Sequence, residues 1–181
     1  MTVQFKSLDD FRTSNSEKEV VVIQGIGFVG AVMSLVCCNA INKDYAVIGI
    51  DLPTEKSLQR IQSFNEGVFP LTADDPQIDV FFENSKKKKN FYATTDINAY
   101  RLADVIIVDI NLDVTKSSES DYSLSSFQVD LTYFREAISS IGKSCKTDAL
   151  ILVETTVPPG TCEKLVYPVL CEEFRKRNES T

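Results

Sequence analysis

Glu19-Val-Val-Val-Ile-Gln-Gly-Ile-Gly-Phe-Val-Gly30 decides how the rest of this chain is read. Its first half is a short, β-branched, continuous apolar run, the pattern of a central parallel strand buried on both faces. Its second half, Gly25-Ile-Gly27-Phe-Val-Gly30, fits G-x-G-x-x-G. Directly behind a strand and ahead of a helix, the three glycines have separate tasks: a tight turn, close backbone approach of a pyrophosphate, and close helix–strand packing. The helix follows in Val29, Val32, Met33, Val36, Cys37 and Ala40, which recur at i, i+3, i+4 and i+7.

Outward from this unit, strands and helices alternate. Ala46 to Ile50 reads as the next buried strand, closed by Asp51. A helix beginning near Pro53 has an inner face of Leu58, Ile61 and Phe64, and Asn65 to Asp75 is a loop. Gln77 to Ser85 is a short helix whose lysines, Lys86 to Lys89, suit a solvated C-terminal end. Strands are expected at Phe91 to Thr94, Val105 to Ile110 and Ala149 to Val153, the last as a continuous apolar run. Ser117 to Ser126 reads as a serine-rich, acidic loop. The periodic Leu131, Phe134, Ala137, Ile138 and Ile141 give a helix stopped by Gly142. A last helix starts near Thr161, whose hydroxyl is placed to cap it, and Pro168 is placed to kink it. This order predicts an α/β fold of Rossmann type: a doubly wound, mainly parallel sheet with helices on both faces. Residues 1–18 read as a tail or short surface helix carrying Phe5, Leu8 and Phe11, and residues 19–181 as one nucleotide-binding domain.

Asp51 lies 21 residues after Gly30, at the end of the second strand. A carboxylate there accepts hydrogen bonds from adenosine ribose hydroxyls and, by like charge, turns away a 2′-phosphate, so NAD rather than NADP is the expected cofactor. S-adenosylmethionine-dependent methyltransferases share the glycine turn and the acid, so this pair alone leaves that alternative open.

Composition narrows the remainder. With 43% hydrophobic and 25% charged residues the chain is of globular type, and its net charge of −7 opposes nucleic acid and anionic membranes as partners. No apolar run approaches the ~20 residues of a membrane helix, and MTVQFKSLDDFRTSNSEKE lacks a secretory apolar core, so a cytoplasmic location is expected. Five cysteines without C-x-x-C spacing suggest reduced thiols, and no metal site is expected. The chain contains no histidine, which removes Ser-His and Cys-His nucleophile pairs.

Four segments carry a more specific resemblance. They are Gly25-Ile-Gly-Phe-Val-Gly30; Asn65-Glu-Gly-Val-Phe-Pro70 with Asn90-Phe-Tyr-Ala-Thr-Thr-Asp96; Ala103-Asp-Val-Ile-Ile-Val108 with Val129-Asp-Leu-Thr-Tyr133; and Glu154-Thr-Thr-Val-Pro-Pro-Gly-Thr161. In order and spacing, from Val20 to about Val169, they resemble the NAD-binding domain of the nucleotide-sugar 6-dehydrogenases, the UDP-glucose and GDP-mannose dehydrogenases. The last segment, similar to that family's [ST]-T-V-P-x-G-[ST] signature, is the most specific. The resemblance implies that Gly25, Gly27, Phe28, Val29 and Gly30 line the pyrophosphate, Asp51 holds the ribose and Lys56 lies beside the adenosine. It also places Thr156 near the nicotinamide. One departure stands at Ile110-Asn111-Leu112-Asp113, where the family has V-P-T-P against the cofactor. Backbone contacts are therefore what the resemblance implies at Ile110 and Asn111.

The family oxidises a sugar C6 alcohol to a carboxylate in two NAD-dependent steps, through a thiol-linked intermediate on a cysteine in G-F-G-G-x-C. No such segment occurs here, so no catalytic residue is assigned, and Cys162 reads as an incidental thiol. The chain ends in polar sequence, Glu172 to Thr181, without a substrate domain, and is expected to be a fragment inactive alone. The nucleotide sugar, and pairing into a homodimer, would belong to the full-length parent. A stand-alone NAD-sensing module is the alternative from a different class.

Overall fold

The computed structural model describes residues 5–112, 114–118 and 124–179. Five strands, β1 (Glu19–Gln24), β2 (Tyr45–Ile50), β3 (Phe91–Thr94), β4 (Val105–Val108) and β7 (Leu150–Val153), form one sheet in the order β3-β2-β1-β4-β7. Every pairing in it is parallel. All strand C-termini therefore open on one edge, and the reversal of order beside β1 creates the crevice where open α/β sheets hold ligands.

The continuous apolar runs are explained by burial on both sides. Val20 and Val22 of β1, with Ile48 and Ile106, enter one core; Val21 and Ile23, with Val47 and Ile107, enter the other. On the first side lie α5 (Thr132–Gly142) and α6 (Tyr167–Lys176), through Phe134, Ile138, Val169 and Phe174. On the second lie α2 (Phe28–Cys38), α3 (Glu55–Asn65) and α4 (Pro76–Lys88), through Leu35, Ile61, Phe64 and Phe82. The doubly wound expectation holds. Among the described residues, no helix is long and apolar enough to cross a membrane.

Several local readings need correction. The short helix expected within residues 1–18 exists as α1 (Leu8–Ser14), but Phe5, Leu8 and Phe11 are buried in the first core, and Phe11 stacks on Tyr92 at 5.7 Å. Polar neighbours hid this, because three apolar residues in so short a stretch set too short a period to stand out. The inner face of α3 is Ser57, Ile61 and Phe64, while Leu58 is 47% exposed. Helix α4 extends through Lys86–Lys88, and Lys89 ends it in the left-handed region (φ 52°). Lys88 spends its charge locally, its Nζ reaching the Cys38 carbonyl (3.2 Å) and Asp44 (3.1 Å).

Where a serine-rich loop was expected, β5 (Val114–Ser118) and β6 (Leu124–Val129) pair as an antiparallel hairpin; residues 119–123 lie outside the described set. A 3-10 turn at Ile97–Arg101, not foreseen, places Tyr100 in the core. Strand β7 packs on the core through one row only, the partly buried Ile151 and Val153, while Leu150 is 54% and Leu152 39% exposed, because β7 is the edge strand of the sheet. The Thr161 hydroxyl donates to the Pro158 carbonyl (2.7 Å) instead of capping a helix. Ahead of Pro168, Cys162–Val166 form a π-helical stretch that leads into α6. A proline interrupts the i→i−4 ladder, and widening the preceding turn is one way a helix absorbs that.

Candidate cofactor site at the sheet edge

The glycine turn is sewn between its neighbouring strands. Gly25 N–H donates to the Ile50 carbonyl (2.8 Å) and Asp109 N–H to the Gln24 carbonyl (2.8 Å). Gly25 stands at φ +94°, and a Cβ on it would lie 2.2 Å from the Asp109 carbonyl oxygen. A Cβ on Gly30 would lie 1.9 Å from the Gly25 carbonyl oxygen. Both glycines are required by the protein's own packing.

Gly27 is different. Its φ of −61° suits any residue, and nothing lies within 4 Å of where its Cβ would be. The packing of the chain does not call for glycine here, and the space in front of the backbone is open to an approaching group. The geometry supplies what an anion needs there. The first helical N–H to be satisfied is that of Ala31, bonded to the Gly27 carbonyl (3.0 Å). The amides of Phe28, Val29 and Gly30 thus sit in the unpaired first turn at the positive end of α2. The residues present fit a dinucleotide pyrophosphate.

Beside the turn, a cavity of about 500 Å³ is lined by Gly25, Gly27, Asp51, Ile110 and Asn111 among the residues singled out from sequence. That volume is within the range of small-ligand sites, roughly 300–1,000 Å³. Lys56 and Thr156 are exposed and do not line it. Phe28, Val29 and Gly30 adjoin it through the helix end.

Other residues form the cavity without having been read as functional. Arg60 donates through Nη1 to Asp51 Oδ2 (3.0 Å) and to the Ile26 carbonyl (3.0 Å), tying acid to turn, while Leu52 N–H donates to Asp51 Oδ1 (2.8 Å). Arg60 falls with Ser57, Ile61 and Phe64 at i, i+3, i+4 and i+7, so a cation on the buried stripe of α3 was the available signal. Thr155, not Thr156, is turned inward: its hydroxyl accepts from Ile110 N–H (2.8 Å) and donates to the Val108 carbonyl (3.2 Å). It thereby fixes the segment that departs from V-P-T-P. The buried Tyr100 hydroxyl donates to Gln24 Oε1, and burial pushes its pKa upward.

Asp109 follows β4 and faces α2. Its Oδ2 is buried without a hydrogen-bond partner among the described residues, 3.2 Å from where a Gly30 Cβ would stand. Burial, and secondarily the Glu154 carboxylate, hold its carboxyl above the usual range. The unfolded chain therefore gives up this proton at lower pH than the folded one. The favourable contribution is present below the unfolded value and lost as pH rises through the folded one. Asp109→Asn, which cannot ionise, is expected to melt higher than the parent chain near neutral pH, with the gap closing in acid. Thermal melts of both across the carboxylate range check this; a gap that stays constant with pH would reject it.

Residues 18–180 match the family described as UDP-glucose/GDP-mannose dehydrogenase family, NAD binding domain. The chain belongs to this family. The match covers nearly the whole chain and sets aside the methyltransferase alternative. Among curated relatives, the chain is 24% identical over 145 residues to UDP-N-acetyl-D-mannosamine dehydrogenase of Pyrococcus horikoshii, covering 80% of this chain and 30% of the relative. It is 29% identical over 161 residues to the UDP-glucose 6-dehydrogenase TuaD of Bacillus subtilis, covering 88% and 31%. The chain thus spans about a third of the length of these relatives. Two solved structures share its fold. One is the NDP-N-acetyl-D-galactosaminuronic acid dehydrogenase of Methanosarcina mazei (TM-score 0.71, 21% identity, 96% of this chain and 34% of that one). The other is the GDP-mannose dehydrogenase of Pseudomonas aeruginosa (TM-score 0.63, 23% identity, 84% and 32%). The glycine turn and Asp51 are accordingly parts of an NAD-binding domain.

Proposed function

We propose that this domain serves as the cofactor half of an enzyme that oxidises the C6 alcohol of a nucleotide sugar to a carboxylate in two NAD-dependent steps, and that residues 1–181 hold NAD without turnover. The observation that carries the reading is Gly27: open space in front of a helix end, flanked by Asp51, with no internal reason for glycine. Gly25, Gly27, Phe28, Val29 and Gly30 would carry the pyrophosphate through backbone N–H groups, and Asp51 the ribose hydroxyls. Ile110 and Asn111 would border the cofactor, Lys56 would approach the adenosine, and Thr156 the nicotinamide from the end of β7. The sequence contains no G-F-G-G-x-C segment, so the thiol chemistry and the nucleotide-sugar site would reside in other parts of the parent. Pairing into a homodimer would be a property of that parent, acting in the cytoplasm. Residues 19–181 form the NAD-binding unit in this reading, with α1 packed upon it.

Calorimetric titration of the chain with NAD, with S-adenosylmethionine as control, tests the reading. Saturable NAD binding is expected, weakened about tenfold or more by Asp51→Ala, the loss of a charge-assisted hydrogen bond. Binding of S-adenosylmethionine alone, or of neither ligand, would overturn it.

A further inference from the structure

Behind the glycine turn the fold places an acid. Asp109, the residue after β4, is wedged between the ends of β1 and β7. Its N–H donates to the Gln24 carbonyl (2.8 Å), its carbonyl oxygen lies 2.2 Å from where a Gly25 Cβ would stand, and the register of Val108 with Val153 puts Glu154 beside it. The side chain turns toward α2, with Oδ2 3.2 Å from where a Gly30 Cβ would stand. That oxygen is buried and has no hydrogen-bond partner among the described residues. A carboxylate in such a place is at a disadvantage against the neutral acid.

The described surroundings offer no counter-charge. Residues 25–31, the glycine turn and the start of α2, hold no titratable side chain, and the end of β7 contributes a second carboxylate in Glu154. Of the residues lining the adjoining cavity, Asp51 and Glu136 are further acids, Tyr100 and Tyr133 are phenols, and Arg60 is the cation. Arg60 is engaged by Asp51 at 3.0 Å. Burial first, and Glu154 second, hold the Asp109 carboxyl above the usual range.

A dinucleotide would add its own negative charge at this point. Its pyrophosphate would lie on the amides of Phe28, Val29 and Gly30, and Gly30 is the residue against which Oδ2 packs. Backbone rather than water then separates the two anions, and a like charge so near disfavours the ionised carboxyl. Linkage makes the effect reciprocal: whatever the dinucleotide does for the proton, the proton does for the dinucleotide.

We propose that Asp109 couples dinucleotide binding to a proton: the domain holds NAD with Asp109 as the neutral acid, taking the proton from solvent where the free domain carries a carboxylate, so that affinity rises as pH falls. The proposal rests on the NAD-site reading above. Asp109 acts through charge from behind the turn, and no contact with the cofactor is required. Asp51 works in the opposite sense, since protonating a carboxylate that holds ribose hydroxyls weakens binding. A rise toward acid therefore cannot originate at Asp51.

Calorimetric titrations of the 181-residue chain with NAD at about pH 5.5 and about pH 8, each in two buffers of different protonation enthalpy, test it. Binding is expected to be about three- to tenfold tighter at the lower pH, with uptake of a fraction of a proton, because one unit of pKa shift corresponds to tenfold in affinity. Asp109→Asn should bind at the higher pH at least as tightly as the unmodified chain does at the lower, without proton uptake. Glu154→Gln should move the rise to lower pH and leave it in place. A purely structural role for Asp109 would change affinity without changing proton uptake. Thermal melts establish that each variant is folded; should Asp109→Asn not fold, Asp109→Ser replaces it, and proton uptake by the unmodified chain remains a test. NAD affinity that does not change with pH, or a rise that survives in Asp109→Asn, overturns the proposal and leaves the NAD reading standing. If NAD binds at neither pH, the NAD reading falls and the proposal with it.

Discussion

Gly30→Ala is expected to destabilise the chain by about 3 kcal/mol or more, whereas Gly27→Ala is expected to fold normally and lose NAD. The contrast follows from what each added methyl group would meet. At Gly30 it would stand 1.9 Å from the Gly25 carbonyl oxygen. That atom cannot yield, because Gly25 is held at φ +94° between the Ile50 carbonyl it bonds and the Asp109 carbonyl it abuts. Overpacking against flexible side chains costs about 1–3 kcal/mol, and a clash between two fixed backbones belongs at the upper end or beyond. At Gly27 the methyl group would meet no protein atom within 4 Å. A substitution in open space usually stays within about 0.5 kcal/mol. The new methyl would instead occupy the approach of the pyrophosphate, at a cost of roughly tenfold to a hundredfold in affinity, equivalent to about 1.4–2.8 kcal/mol. Thermal melts and NAD titrations on both variants check the pair. Unchanged NAD affinity in Gly27→Ala would remove the main support for the proposed cofactor site.

Phe11→Ala is expected to cost about 3–5 kcal/mol, on the order of 10 °C in Tm, the cost of deleting a large buried ring. Phe11 is fully buried, stacks on Tyr92 and meets Phe5 edge-on at 5.0 Å. A surface appendage would lose almost nothing on the same change. Helix α1 is further tied down by Asn15, whose side-chain amide donates to the Lys89 carbonyl (3.1 Å) beyond the end of α4. Denaturant melts of Phe11→Ala, with Arg12→Ala as a neighbour less rooted in the core, measure the difference. A loss under about 1 kcal/mol would show that residues 1–18 do not contribute to the core.

The two predictions mark where reading the sequence succeeds and where it stops. The strand runs expected at 19–24, 46–50 and 105–110, and found at 19–24, 45–50 and 105–108, were legible because parallel strands buried on both faces are apolar along nearly their whole length, and Val20 to Ile23 serve two cores at once. Leu150 and Leu152 have the same composition but lie exposed on the outermost strand. Residue type cannot tell a central strand from an edge strand, since strand order is set by crossovers. The lysines at 86–88 were rightly read as a helix end, because dipole and solvation act locally. The pairing of 114–118 with 124–129 was missed because polar residues gave no alternation to signal it.

At the candidate site, Gly25, Gly27, Gly30 and Asp51 were visible as a pattern because a glycine turn and an acid at a strand end lie close in sequence to their strands. Arg60, Tyr100, Asp109 and Thr155 were not, since each acts through a partner far along the chain: Ile26, Gln24, Gly30 and Ile110. The sequence by itself determined the fold class, because hydrophobic period and a local glycine turn suffice for it, and the resemblance of its four motif segments pointed to the family. Only the tertiary structure decided which glycine has no protein reason to be one, that the first helix belongs to the core, and that Asp51 is paired with Arg60. Those facts depend on which surfaces meet, and the approach of distant segments is set by the packing of the whole chain.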